Sequence, residues 1–573
     1  MRYDKEKSAG RFGFVCGVKK MARTIGIGQQ SFEIIREKNY FYIDKTDFIR
    51  EWWESGASVT LITRPRRFGK TLNMSMMESF FSVEYAEKRN IFEGLSIWED
   101  EKYRKIQGTY PVISLSFANV KEANYQNTVQ RINKTLEDLY SKNIFLLEGD
   151  LLTDKEKEYF RRVKWDMDEV TATAALHDLS NFLSRYYGKQ VIILMDEYDT
   201  PMQEAYVNGF WDELTAFTRS LFNSAFKTNP YLERAIMTGI TRVAKESIFS
   251  DLNNLKVVTT TSDAYATAFG FTEEEVFGAM DEYGMKNREE VKKWYDGFIF
   301  GKVRDIYNPW SIINLLDTGK LDTYWANTSA NSLVGKLIRE GDHRVKRKFE
   351  TLLRGGTIRS ELDEQIVYNQ LDGDEEAIWS LLLASGYLKV ISVEDWEYTL
   401  SLTNDEVRRM FRKMIKGWFK KSGSNYNDFV QALLIHDLDA MNEYMNRVSL
   451  SMFSYFDTGK NPSGAEPERF YHGFVLGLMV DLEEDYILTS NRESGFGRYD
   501  VMLEPRQEKD DAIIMEFKVF QPRKEKELED TVKNALEQIE EKQYAASLIA
   551  KGIPMERIRK YGFAFEGKKV LIG

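Results

Sequence analysis

The stretch that most constrains this chain is residues 59–71. The apolar run Val59-Thr60-Leu61-Ile62-Thr63 leads into Arg64-Pro65-Arg66-Arg67-Phe68-Gly69-Lys70-Thr71 and then into Leu72-Asn73-Met74-Ser75-Met76-Met77, whose composition suits a helix. The predicted order is buried strand, tight loop, helix. In that context Gly-Lys-Thr reads as the end of a phosphate-cradling loop, whose backbone N–H groups turn onto an anion at a helix N-terminus. Lys70 would reach the terminal phosphates and the Thr71 hydroxyl would hold Mg2+. One position departs from the usual pattern. Arg64 stands where glycine is expected, and glycine matters there because it accepts positive φ and lets a phosphate approach closely. On this reading Pro65 stiffens the loop instead, and Arg64, Arg66 and Arg67 add positive charge near the phosphate. The alternative for the octet alone is a basic turn ahead of a surface helix.

At 573 residues the chain is too long for one core, and about three to four domains are expected. No apolar run reaches the ~18 residues of a membrane span. Cys16 is the single cysteine, which excludes an intrachain disulfide framework and a cysteine-based zinc site. His177, His343, His436 and His472 are scattered, so any metal should be a hard ion on carboxylates. The net charge of −11 argues against a chain coated for non-specific DNA binding but leaves room for a local basic groove. Residues 1–20 are basic and glycine-interrupted, and their short apolar run makes a poor signal-peptide core. They read as a disordered lead-in, or as upstream sequence with Met21 the start. The expected compartment is the cytoplasm.

Residues 31–36 read as a helix, 40–43 as a short strand, and Asp44-Lys45-Thr46 as the cap of a helix over 47–54. Further buried strands are expected at 111–117, 190–195 and 234–239, alternating with helices at 125–140 and 176–187. That alternation makes residues 21–261 an α/β unit with a parallel sheet. Helices at 272–280 and 287–294, broken by turn residues at 296–298 and 306–310, form a helical lid region over 262–345. Helices at 348–353, 360–362 and 375–385, then a hairpin of 387–391 and 397–401, give a winged-helix-like order over 346–404. Residues 405–458 read as a helical linker. A loop with Gly459, Pro462, Gly464 and Pro467 opens the last unit, 459–573.

A phosphate-binding loop needs an acid at the end of a second buried strand. Met195-Asp196-Glu197-Tyr198-Asp199 supplies it: Asp196 would hold Mg2+ through water and Glu197 would polarise the attacking water. A third strand ends at Thr238-Gly239-Ile240-Thr241-Arg242, where Thr238 would sense the γ-phosphate and Arg242 would act as a finger on transition-state charge. The alternative for Arg242 is a surface arginine at a strand-end turn. Tyr42-Ile43-Asp44-Lys45-Thr46, the octet 64–71, Asp196-Glu197-Tyr198-Asp199 and Asn308-Pro309-Trp310-Ser311 together resemble the bacterial AAA-ATPase-like proteins, relatives of the archaeal and STAND-type P-loop ATPases. That family writes its loop Arg-Pro-Arg-Arg-Phe-Gly-Lys-Ser/Thr, so the resemblance makes Arg64 a family feature. It implies ATP and Mg2+ as cofactors, without establishing turnover. The nucleotide-binding set is then Arg66, Arg67, Phe68, Gly69, Lys70, Thr71, Asp196 and Thr238.

The tail carries a second constellation. Arg498-Tyr499-Asp500-Val501-Met502-Leu503 reads as one strand, and Asp511-Ala512-Ile513-Ile514-Met515-Glu516-Phe517-Lys518-Val519 as another. Side chains alternate along a strand, so Glu516 and Lys518 share a face. Charges emerging from an apolar strand are costly unless they reach water or bind something. If the two strands form a hairpin, Asp500 meets Glu516 and the pair holds Mg2+, with Lys518 orienting water or stabilising the phosphate. The alternative is an edge strand with a surface Glu–Lys pair. The Asp…Glu-x-Lys order resembles the PD-(D/E)XK nuclease superfamily, with Tyr499 in place of the proline. The resemblance also implies a further acid at Glu468 upstream, and Gln538 and Tyr544 on the helix downstream. Glu468 is equally readable as a first-turn charge favoured by the helix dipole, and Gln538 as solvent-facing.

The sequence therefore predicts a P-loop ATPase coupled to a Mg2+-dependent nuclease-like domain acting on nucleic acid, with no membrane segment. The alternative is a nucleotide-switched binding or signalling protein whose nuclease-like tail is inactive. DNA versus RNA and assembly into a homo-oligomer stay open.

Overall fold

The computed structural model describes residues 22–241, 248–249, 252–325, 334, 337–338, 343–353, 355–362, 375–420, 426–452, 475, 479, 482, 485–494, 497–507, 510–567 and 569–573. Strands β1 (Val59–Thr63), β2 (Val112–Ser116), β3 (Val191–Asp196), β4 (Leu232–Gly239) and β5 (Leu255–Val258) form one sheet in the order β2-β3-β4-β1-β5. Every pairing in it is parallel. β1 and β3 are buried along their whole length, as their unbroken apolar runs require when both sheet faces are covered. β4 lies between the strand that feeds the loop and the strand that ends in Asp196. That order brings Thr238 alongside Asp196.

Local pattern failed at several places. Residues 40–43 form no ladder; Phe41 N instead donates to Thr24 O at 2.9 Å. Thr46 does not cap the helix Asp47–Glu54 with its side chain. Its hydroxyl donates to Asp44 Oδ1 at 2.7 Å and accepts from Ile97 N at 3.1 Å. β5 and the helices Thr200–Asn208 and Trp211–Phe226 lie where the sequence reading placed no element.

In the middle of the chain, β6 (Phe271–Thr272), β7 (Phe298–Phe300) and β8 (Val303–Tyr307) form an antiparallel sheet ordered β6-β8-β7. Residue 298, expected in a turn, thus starts a strand. Next come the helix His343–Leu353, β9 (Ile358–Ser360), the helix Glu375–Ala384, and the hairpin β10 (Leu388–Glu394) with β11 (Glu397–Leu402). Their sheet order, β10-β11-β9, is winged-helix-like. The helix expected at 360–362 is absent because Ser360 ends β9 and pairs with Tyr398. A pairing between distant segments outweighs local preference there. The helix Glu375–Ala384 is buried from Ala377 to Leu383, so it serves as core. One continuous apolar core runs from Phe32 to Phe411 and joins the parallel sheet to this unit.

A separate sheet follows: β12 (Tyr486–Ser494), β13 (Gly497–Pro505), β14 (Ala512–Val519), β15 (Ile558–Glu566) and β16 (Lys569–Ile572), ordered as numbered. β14 and β15 are parallel and joined through the helix Leu528–Glu541; the other pairs are antiparallel. The helices Tyr426–Leu434 and Leu438–Met452 share this sheet's core. Asn442 and Asn446 fix the second of them to β16, donating to Ile572 O at 2.9 Å and Val570 O at 2.7 Å. Within the stretch 405–458, the helices Tyr426–Leu434 and Leu438–Met452 therefore pack with the C-terminal sheet. Among the described residues, no helix is long and apolar enough to cross a membrane.

Candidate functional sites

The loop after β1 turns through two left-handed positions, Arg67 at φ 64° and Gly69 at φ 79°. Gly69 is the N-cap of the helix Lys70–Phe81, and a Cβ built on it would meet nothing within 4 Å. The helix N-terminus therefore opens onto free space, the arrangement an anion needs. Lys70 Nζ donates to the carbonyls of Arg64 and Pro65, each at 2.9 Å. Burial pulls the Lys70 pKa down, while Glu197, Asp196 and Asp199 nearby favour its charged form. Thr71 Oγ1 donates to Asp196 Oδ2 at 2.7 Å. Thr238 Oγ1 donates to Asp196 Oδ1, which also accepts from Glu197 N at 3.1 Å. Glu197 sits at φ 51° and accepts from Thr200 Oγ1 at 3.3 Å. Three strand ends thus bring Lys70, Thr71, Asp196, Glu197 and Thr238 together. A hydroxyl and a carboxylate at one point are hard oxygen donors, and they suit Mg2+.

Arg64 does not behave as the sequence suggested. It is fully buried and does not add charge to the phosphate side. Its guanidinium donates to Thr63 O at 3.0 Å, Thr259 O at 2.6 Å and Ala264 O at 3.3 Å, and lies 4.5 Å from the Phe300 ring centroid. Arg66 Nη2 donates to Gln203 Oε1 at 3.3 Å, and the Arg67 guanidinium sits 4.4 Å from the Trp310 ring centroid. The Phe68 side chain is buried edge-on to Phe298 (4.7 Å) and Phe300 (5.4 Å), so only its backbone belongs to the turn.

Of two further motifs singled out in the sequence, one braces this loop and the other ties the N-terminal unit to the start of the middle region. Asn308 caps the helix Pro309–Thr318 with its side-chain oxygen and donates from Nδ2 to Arg66 O at 3.3 Å. Lys45 Nζ bonds both oxygens of Glu275 at 2.7 Å and Thr267 O at 2.8 Å. Sequence reasoning missed Asp199, which is buried and accepts from Ile240 N at 2.9 Å, Thr241 N at 3.0 Å and Thr241 Oγ1 at 3.0 Å. It fixes the turn leading to Arg242. The signal was its place in the Asp-Glu-Tyr-Asp run. Gly239 is required beside it, since a Cβ there would lie 2.7 Å from Asp199 Oδ1. Arg242 itself lies outside the described residues.

In the C-terminal sheet, β13 and β14 pair as Val501↔Met515, Met502↔Ile514 and Leu503↔Ile513. One step further that register sets Asp500 opposite Glu516, on a shared face. Asp500 Oδ2 accepts from Phe517 N at 2.8 Å. Glu516 is buried and accepts from Gln538 Nε2. Lys518 Nζ donates to Gln538 Oε1 at 2.7 Å, and Gln538 Nε2 also donates to Tyr544 OH at 3.0 Å. Gln538 therefore faces the site, not solvent. Burial raises the Tyr544 pKa, the Gln538 hydrogen bond lowers it, and the charges of Glu516 and Asp500 raise it. Asp500 and Glu516, whose charges both act on Tyr544, offer hard oxygen donors of the kind a divalent cation takes. Among the described residues no three metal-ligating side chains converge, and Glu468 lies outside them.

Residues 26–249 match the family model described as predicted AAA-ATPase, and residues 466–573 match that of the PD-(D/E)XK nuclease superfamily. A protein of Azotobacter chroococcum mcd 1, described as an uncharacterized protein in the vnfD 5′ region, is 24% identical over 556 residues, covering 93% of this chain and 95% of its own. The strand order, the converging loop and acid, and the Asp500–Glu516–Lys518 face agree with those matches: the chain carries an AAA-ATPase-like domain followed by a PD-(D/E)XK nuclease superfamily domain.

Proposed function

We propose that the chain is an ATP-binding P-loop ATPase whose nucleotide state governs a Mg2+-dependent nuclease domain acting on phosphodiester bonds of nucleic acid. The observation that carries the first half is the Thr71 hydroxyl on the Asp196 carboxylate, made by the loop and the acidic strand of one parallel sheet. Gly69 and the helix N-terminus would take the phosphates, and Lys70 would exchange two loop carbonyls for phosphate oxygens. Glu197 would orient the attacking water, Thr238 would report the γ-phosphate, and Arg242 would stabilise transition-state charge.

In the C-terminal domain, Asp500 and Glu516 would hold the cation. A bound Mg2+ supplies charge stabilisation for the phosphodiester and a more acidic water. Lys518 places a positive charge on the face where phosphate charge develops. Gln538 fixes both Glu516 and Lys518 through its two ends. The test incubates the full chain with labelled DNA and RNA, with Mg2+, with and without ATP, beside Lys70→Ala and Asp500→Ala. Expected are Mg2+-dependent cleavage that responds to ATP, loss of the response in Lys70→Ala, and loss of cleavage in Asp500→Ala. Full cleavage by Asp500→Ala refutes the metal assignment. Nucleic-acid binding without cleavage favours the switched-binding alternative.

A further inference from the structure

Of the residues between β1 and Gly69, Arg64, Pro65, Arg67 and Phe68 turn their side chains away from the phosphate side, whereas Arg66 keeps its guanidinium on Gln203 and meets the middle region through its carbonyl. Arg64 holds the carbonyls of Thr259 and Ala264. Pro65 lies under Gly386: a Cβ built on Gly386 would sit 2.8 Å from Pro65 Cγ and 2.9 Å from Phe298 Cε1. The Arg66 carbonyl accepts from Asn308, the Arg67 guanidinium rests on Trp310, and Phe68 is wedged against Phe298 and Phe300.

These contacts meet again at the base of the wing hairpin. Gly386 comes just before β10, and its carbonyl accepts from Thr403 Oγ1, just past the end of β11, at 2.7 Å. In the helix begun by Asn308, Ser311 Oγ donates to Glu406 Oε2 at 2.8 Å. Glu406 is fully buried and also accepts from Trp325 N at 2.7 Å. It stands in the first turn of the helix that follows β11. Two routes, one through Pro65 and Gly386 and one through Arg66, Asn308 and Ser311, therefore run from the loop to one place.

We infer that the Arg-Pro-Arg-Arg-Phe segment is a relay that transmits phosphate occupancy to the β10–β11 wing, with Asn308, Trp310 and Gly386 as its receiving residues. This rests on the ATP reading above. The drive is the exchange at Lys70. Its ammonium is bonded to the carbonyls of Arg64 and Pro65, the residues touching Thr259 and Gly386. A phosphate that draws the ammonium away frees those two carbonyls and resets the loop. The relay explains why the loop has bulky residues where close phosphate approach alone would favour small ones.

The test measures amide hydrogen exchange of the full chain with and without Mg2+ and a non-hydrolysable ATP analogue, alongside binding of a fluorescent ATP analogue. Asn308→Ser keeps a helix-capping oxygen but cannot reach Arg66 O, and Trp310→Ala removes the seat of Arg67. The expected result is that the nucleotide changes exchange over residues 386–402 in the parent by at least about threefold. Compared at saturating analogue, so that occupancy is equal whatever the affinity, both variants should lose most of that change. A parent that binds nucleotide while its wing exchange stays fixed overturns the relay alone. So do variants whose wing responds as the parent's does. A parent that binds no nucleotide overturns the ATP reading and the relay with it.

Discussion

Arg64→Gly would restore the residue expected from the general loop pattern, and the structure says it destabilises the protein. The guanidinium is fully buried and donates to three carbonyls, those of Thr63, Thr259 and Ala264. Burial pulls its pKa down to about 9, from an ordinary value above 12. At about 1.36 kcal/mol per pH unit this is a handicap on the order of 5 kcal/mol. Hydrogen bonds from a charged donor contribute about 2 kcal/mol each, so three of them offset the handicap to within about 1 kcal/mol. Packing decides the balance. Emptying a closed interior of so large a side chain costs about 3–5 kcal/mol, the expected loss for Arg64→Gly. Arg64→Met keeps most of the volume and removes the buried cation but takes the donor away from three carbonyls, so it should also lose stability yet fall short of Arg64→Gly by about 1–2 kcal/mol, the part due to the emptied volume. Urea unfolding followed by tryptophan fluorescence reads the difference. Because the chain holds more than one core, the comparison is made on the transition of the N-terminal unit. The reasoning is refuted if Arg64→Gly unfolds with the parent, or if Arg64→Met falls as far as Arg64→Gly.

Two further outcomes follow from polar clusters. Asp296 beside Asp305 has its pKa pushed up to about 7, first by burial, then by the hydrogen bond and charge of Asp305, against Lys292. Lys389 also interacts electrostatically with both carboxylates and with Arg304 and Arg408. A carboxyl with a raised folded pKa binds more protons folded than unfolded between pH ~4 and ~7, so stability must fall as pH rises through that window. Thermal melts should show this fall in the parent and a flatter profile in Asp296→Asn; parallel profiles would exclude the pair as its source. In the C-terminal domain, Gln538→Ala removes the side chain that holds Glu516 and Lys518 together. Titration with Mn2+ should show binding weakened about 10–100-fold, the usual effect of losing such a support; unchanged affinity would mean that Gln538 does not orient Glu516.

Features written in consecutive residues could be read from the sequence. The strand, loop and helix of 59–81, the apolar strand ending in Asp196, and the spacing of Asp500, Glu516 and Lys518 all depend on local periodicity and a fixed alternation of faces. The destination of a long side chain is not local. Arg64 looked like phosphate charge because its neighbours are basic, yet two of its three acceptors stand 195 and 200 residues away in the chain. The charged helix alone left Gln538 readable either as a site residue or as solvent-facing, and its bonds to Glu516 and Lys518 on β14 decide for the site. Residues 360–362 show the same limit: three residues carry little propensity, and Tyr398 decided their state. β5 escaped notice because Leu255-Lys256-Val257-Val258 is short and contains a lysine, while its support comes from β1 alone.

The two sites rest on different cores, which constrains how one can influence the other. The first core ends at Phe411, and the second begins at Phe429. The helix Asp405–Lys420 bears Glu406 and Phe411 in the first and touches the helix Tyr426–Leu434 of the second. At about 1.5 Å per residue this helix spans roughly 24 Å. A tilt of about 5° pivoting near Glu406 would move its far end by about 2 Å. That is enough to break hydrogen bonds, which fail within a few tenths of an ångström beyond about 3.2 Å. The helix Leu438–Met452 then reaches β16 through Asn442 and Asn446, and β16 pairs with β15, the parallel neighbour of the strand carrying Glu516 and Lys518. The joints that a single substitution can open are therefore the side-chain bonds at the two ends of this path, Asn308 to Arg66 O and Ser311 to Glu406 near the loop, and Asn442 and Asn446 to β16 near the second sheet.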